Sequence, residues 1–209
     1  MGNRAIVKPK GKNVGVYLHW NGGIDSVTAF LEYCKLKEYR NFGGKFADGY
    51  GIARFCQVVG NFFGGGLSIG IETDIDESEE YAEFIDNGIY IIDGWDIVER
   101  IGAPSGREGY DLYKMLNEID VKQPLNERLG EDYIMAEEVN ENELEVGDKV
   151  YILDYNGKPE IFTVMGIAPE GTFRNGDVSN LPYVNKYSRD GDYSWNINNY
   201  IRGKVRKGN

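Results

Sequence analysis

Val14-Gly15-Val16-Tyr17-Leu18-His19-Trp20-Asn21-Gly22-Gly23-Ile24-Asp25-Ser26 is the stretch on which the fold turns. Its first seven residues are rich in β-branched and aromatic types, the composition of a pleated strand. Asn21-Gly22-Gly23 breaks that run, and Asp25 or Ser26 then offers a short side-chain oxygen to cap a helix. Val27, Phe30, Leu31 and Cys34 follow at i, i+3, i+4 and i+7, which predicts an amphipathic helix ending near Tyr39. Strand, glycine turn and helix in this order predict mixed α and β structure.

Downstream, Ile52, Phe55, Val58, Val59 and Phe62 make a second apolar stripe, predicting a helix over about 51–63 that Gly64-Gly65-Gly66 ends. Residues 67–71 and 89–92 read as strands, with the turn signal Asn87-Gly88 before the second. Residues 67–92 are therefore expected to form a hairpin with a long acidic connection, and 96–101 a last short strand or a turn of helix. These elements make residues 1–103 a small α+β domain. Pro104-Ser105-Gly106 marks a boundary, and 104–140, acid-rich with helical spacing at Leu112, Met115, Leu116 and Ile119, reads as an acidic helical linker. Beyond it, a Val146-Gly147-Asp148 turn precedes an apolar run to Leu153, and Asn156-Gly157 leads into 161–167. That pattern, over 141–209, resembles an SH3-like β-barrel. The expected class is α+β, a small mixed α/β sandwich followed by a small barrel.

Lys and Arg number 23 against 34 Asp and Glu, a net charge of −11. That balance excludes a protein whose whole surface coats nucleic acid, and it argues against adhesion to anionic membrane. The charge is unevenly laid out: residues 1–54 are net +5, 55–71 carry none, 72–145 are net −18 and 146–209 are net +2. Cys34 and Cys56 form no ligand pair and no disulfide framework, and they read as buried free thiols. The basic start lacks an apolar core region, and no run approaches a membrane span, so a soluble protein of the cytoplasm is expected.

The strand–glycine–helix corner suits an anion: glycines let the backbone approach closely, and a helix start presents unpaired N–H groups. The candidate ligand-binding residues are Tyr17, His19, Trp20, Asn21, Gly22, Gly23, Asp25 and Ser26, with the two aromatics Tyr17 and Trp20 able to stack on a base. A purely structural turn is the competing reading. His19, the one histidine, would need an orienting carboxylate to act as a base, and otherwise reads as a satisfied core group. One His and two separated Cys argue against zinc. A second candidate surface is acidic: Asp74, Asp76, Glu77, Glu79, Glu80 and Glu83. It lacks the glycine and terminal glutamate spacing of a calcium loop. It could mimic nucleic-acid phosphates in a partner's basic cleft, against the plainer reading of solvated surface. Tyr183, Tyr187, Tyr193, Trp195 and Tyr200, followed by the basic tail Arg202, Lys204, Arg206 and Lys207, could form a groove for peptides or bases.

Asn21-Gly22-Gly23-Ile24-Asp25-Ser26 resembles the Ser-Gly-Gly-x-Asp-Ser loop of the PP-loop ATP pyrophosphatases, which implies pyrophosphate binding. Asn21 stands where that family has Ser, and the repeated βα units of that fold do not follow. Residues 15–27 and 53–71 resemble a family of small proteins, without an assigned activity, encoded in bacteriophages and mobile elements of gut Firmicutes. The likeness covers roughly residues 3–100 and carries over no catalytic residue, metal or cofactor. It implies a phage accessory product acting in the host cytoplasm. The expected function is a binding protein, rather than an enzyme, that antagonises a host process such as defence. It would sequester a phosphate-bearing small molecule or block a host protein, possible self-association included. The alternatives are a nucleotide-processing enzyme built on the PP-loop-like turn, an acidic nucleic-acid mimic, and a structural adaptor.

Overall fold

A computed structural model describes residues 3–45, 49–64, 68–102, 110–154, 156–168, 172–173, 176–177, 181–187, 196–200 and 204–208. Its organising strand is one that local patterning hides. β1 (Ala5–Pro9) is buried at every position, although Lys8, Pro9 and Lys10 mask its β character. Buried along its whole length, it needs a partner strand on each side to satisfy its backbone N–H and C=O groups. β2 (Val14–Leu18) is one, pairing antiparallel with Ile6 opposite Tyr17. β4 (Ile89–Asp93) is the other, pairing parallel with Ile6 opposite Ile89. β3 (Ile69–Thr73) and β5 (Asp96–Ile101) complete a five-stranded sheet in the order β3-β2-β1-β4-β5. Residues 67–92 are thus no hairpin: β2 and β1 lie between β3 and β4, because the parallel pair takes the position that a hairpin would fill.

The chain between β3 and β4 instead crosses one face of the sheet. Ile75, Ala82 and Ile85 pack there on Ile6, Ile89, Ile91 and Ile101. A one-turn helix, α3 (Glu79–Ala82), forms within this segment because the Ser78 side chain accepts from the Tyr81 N–H. Gly15 makes the covering possible, since a Cβ there would stand 2.9 Å from Ile75 Cδ1 and 3.0 Å from Ile6 Cγ2.

The other face carries the helices. α1 (Ile24–Leu36) starts at Gly23, earlier than the sequence suggests: Gly23 is extended, Val27 N–H bonds to its carbonyl, and no side chain caps the helix. Asp25 therefore sits inside the first turn rather than at the cap. α2 (Gly49–Phe63) buries Phe55, Val58 and Val59, and the ring of Phe55 meets Phe30 of α1 edge-on at 6.4 Å and Phe42 at 5.2 Å. α4 (Leu112–Asp120) packs on α1 through the Tyr33 hydroxyl, which donates to Asp120 Oδ1 at 2.6 Å. Burial pushes the Tyr33 hydroxyl far above the usual phenol range, with the Asp120 bond adding to it, so this donor keeps its proton. Buried Lys37 donates to the Glu127 carbonyl. The chain accordingly divides between Arg128 and Leu129, and the helical stretch expected in a linker belongs to the first unit. The boundary signal at 104–106 lies outside the described residues.

The second unit opens with α5 (Glu131–Met135), has a 3-10 turn at Glu141–Glu143, and its strands among the described residues pair antiparallel. β6 (Glu137–Asn140), β7 (Lys149–Leu153), β8 (Pro159–Thr163) and β14 (Lys204–Lys207) form a sheet in the order β6-β14-β7-β8. β9 (Gly166–Ile167), β12 (Pro182–Tyr187) and β13 (Asn196–Tyr200) form another, and β10 (Thr172–Phe173) pairs with β11 (Gly176–Asp177). The β7–β8 hairpin turns at Gly157 in the left-handed region, as its Asn156-Gly157 signal predicts. Val139, Leu144, Val150, Val164 and Val184 are its core. The molecule is of the α+β class. No helix among the described residues is long and apolar enough to cross a membrane.

Candidate functional site

The corner between β2 and α1 is held from three directions. His19 N–H donates to the Ser68 carbonyl at 2.8 Å, beside β3. Gly22 N–H donates to the Asn3 carbonyl at 2.8 Å, ahead of β1. The Tyr90 hydroxyl of β4 donates to the Gly22 carbonyl at 2.9 Å. Burial pushes Tyr90 up to about 12, against the pull of Arg100, whose guanidinium lies 4.7 Å from the ring centre. Asn3, Ser68 and Tyr90 carry no local signal of this role, because it exists only once the sheet is assembled.

Gly22 is a structural glycine: a Cβ would lie 2.6 Å from the Asn3 oxygen and 2.8 Å from the Ala5 nitrogen. Its N–H and C=O are both engaged inside the protein, so it offers no donor to a ligand. Asn21 takes the left-handed conformation with φ 54°, a place that Asn tolerates better than most residues. Its amide donates to Ser26 Oγ at 3.4 Å, and Ser26 is itself buried. Asp25 Oδ1 accepts from Ser26 N–H at 2.8 Å, so one amide of the first turn already faces a carboxylate. Gly23, with no side chain over the helix end, leaves the start of α1 uncapped.

Ahead of that turn runs a row of rings. Tyr17 and His19 have centroids 6.2 Å apart and His19 and Trp20 4.8 Å, the latter edge-to-face. Tyr17 and His19 are half-buried, and Trp20 is 45 % exposed. The Tyr17 hydroxyl lies 3.2 Å from His19 Nδ1, so the histidine's ring partner is a phenol rather than a carboxylate. The structure thus brings all eight predicted loop residues into one corner. Within it Gly22 and Ser26 are interior, while Trp20 faces solvent.

The six acids of the second candidate surface are all exposed and lie on the segment crossing the sheet. Three have local duties. Asp76 Oδ1 accepts from Ser78 N–H at 2.9 Å, and Glu79 and Glu80 stand in the first turn of α3, where negative charge is favourable. Glu77 is ion-paired with Lys8, whose side chain is 2 % exposed. Among the described residues it is the one acid of the six with a salt bridge.

In the second unit Lys204, Arg206 and Lys207 are a strand and not a loose tail. Lys204 pairs with Glu138 at 2.6 Å and Lys207 with Asp148 at 2.7 Å, while Arg206 donates to the carbonyls of Tyr133 and Ile134, each at 2.8 Å. Tyr193, Trp195 and Arg202 lie outside the described residues. No group of His, Cys, Asp or Glu that could hold a metal ion occurs among the described residues. No protein-family model, curated protein or solved structure matches the chain.

Proposed function

We propose that this protein is a non-enzymatic binding protein that captures a phosphate-bearing small molecule, of nucleotide type, at the Tyr17–Ser26 corner. The observation carrying this reading is the half-exposed row Tyr17–His19–Trp20 set directly before an uncapped helix start. A base stacks on the Trp20 ring, and the phosphate takes the outward amides of the first turn of α1. Asp25 opposes the anion and tunes the affinity down. The host-antagonist role follows from the likeness to phage-encoded proteins, with sequestration of a signalling nucleotide as its mechanism.

The test is quenching of tryptophan fluorescence by a nucleotide panel. Saturable quenching is expected, lost in Trp20→Ala and strengthened several-fold in Asp25→Asn as the repulsion is removed. A panel that leaves fluorescence and melting temperature unmoved overturns ligand capture.

A second reading, blockade of a basic-surfaced host protein, draws on the exposed acids Asp74, Asp76, Glu79, Glu80 and Glu83. It expects salt-sensitive capture of such a partner that reversal of these charges abolishes.

A further inference from the structure

The two edges of the first sheet are not alike. β5 forms one of them, and its pairing with β4 is irregular at Ile91/Ile92, with Asp96, Glu99 and Arg100 along its length. Irregular pairing and edge charges are the devices that keep a strand from joining another chain. β3 forms the other edge, with no irregularity and a single charge, Glu72. Its register with β2 is unbroken from Thr73 opposite Val14 to Ile69 opposite Leu18. Ile71, at its centre, is 56 % exposed.

The ladder fixes which backbone groups point outward. His19 N–H donates to the Ser68 carbonyl, and Asp74 N–H to the Asn13 carbonyl. Bonded pairs alternate along an antiparallel ladder, so Ser68, Gly70, Glu72 and Asp74 turn their groups toward β2. Ile69, Ile71 and Thr73 turn theirs to the open side, where they meet no partner among the described residues. That row is its own complement. A second copy laid antiparallel with Ile71 opposite Ile71 sets Ile69 against the partner's Thr73 and Thr73 against the partner's Ile69. Every outward N–H then meets a C=O, and the exposed isoleucines cover each other.

Charge favours the same occupant. Lys122 and Ile69, at one end of β3, line a cleft of about 530 Å³, and Asp74 follows the strand at its other end. Antiparallel pairing lays each copy's basic end against the partner's acidic end. The two Asp74 residues stand roughly 20 Å apart by strand rise, beyond a screening length of about 8 Å. The two Glu72 residues, roughly 7 Å apart along the strands and each beside the partner's Gly70, are the one acidic pair that pairing brings close.

We propose that this chain forms a symmetric homodimer by antiparallel β3–β3 pairing centred on Ile71, joining two five-stranded sheets into one. The inference does not depend on ligand capture at the Tyr17–Ser26 corner.

Sedimentation velocity of the full chain over a wide concentration range tests it. The expected species has twice the monomer mass. Ile71→Lys, which places a charge on the two-fold axis, raises the dimer dissociation constant at least about tenfold. Val98→Lys on the opposite edge leaves it unchanged. Ile71→Pro removes an outward N–H at an edge position that tolerates proline, and it dissociates the dimer likewise. Amide hydrogen exchange on the unmutated chain supplies a readout independent of variant folding: Ile69, Ile71 and Thr73 are protected, increasingly so with concentration. A monomer at every concentration, a dimer indifferent to both Ile71 variants, or rapid exchange of these three amides in the dimer overturns the proposal.

Discussion

Gly22 shows why a glycine pair in a loop is ambiguous in sequence. The Asn21-Gly22-Gly23 pattern fits a ligand cradle and a packing requirement equally well, and the deciding fact is the closeness of Asn3 and Ala5. Gly22→Ala forces a methyl against backbone that cannot yield, so it is expected to destabilise the protein by roughly 2–4 kcal/mol, read by chemical unfolding. Gly23→Ala meets only the movable Asp25 side chain, so it costs less. Asp86 adds a pH dependence. Hydrogen bonds from the Arg4 guanidinium and the Arg4 N–H hold its carboxyl down at about 2. Its unfolded value is near 3.9. A lowered carboxyl stabilises the fold above the unfolded value and loses that contribution as pH falls toward the folded one. Melting temperature is therefore expected to drop between about pH 4 and 2, and less steeply in Arg4→Met.

At the scale of elements, the local signals for β2, α1, α2 and the β7–β8 hairpin were sufficient, because each rests on its own periodicity or turn residues. β1 was not legible, since Lys8 looks like a surface residue. Its side chain is buried because Ile75 and its neighbours cover that face and Glu77 meets the ammonium. Without β1, the strands at either end of 67–92 have only each other to pair with, which is why that stretch reads as a hairpin. The same pair makes a test with opposite outcomes. Glu77→Ala leaves a covered ammonium without its counter-charge and is expected to cost about 3 kcal/mol, whereas Lys8→Met keeps the packing and is expected to be neutral within about 1 kcal/mol. Equal losses in the two variants would show that charge is irrelevant there. The aromatic row of the candidate site was legible as a strand end. Its anchors were not, because Asn3, Ser68 and Tyr90 arrive from three separate parts of the chain.

At the scale of the molecule, the division at Arg128 and Leu129 leads to the prediction that residues 1–128 fold without the remainder. Expressed alone, that fragment is expected to melt cooperatively and to retain the native near-ultraviolet signal of Trp20 and Trp95. A non-cooperative melt would mean that the first unit borrows stability from the second. Composition could not place this boundary, because the acidity of 72–145 runs across it without a break. The parallel pairing of β1 with β4 has a consequence for how the chain comes off the ribosome. β1 and β2 can zip together almost at once, but the far side of β1 stays open until residues 89–92 have been made and delivered. Contacts so distant in sequence are slow to close, and an open strand of this kind is a hazard while it waits. Lys8 and Pro9, which hide β1 from a reader of the sequence, also make it a poor template for any other strand during that interval.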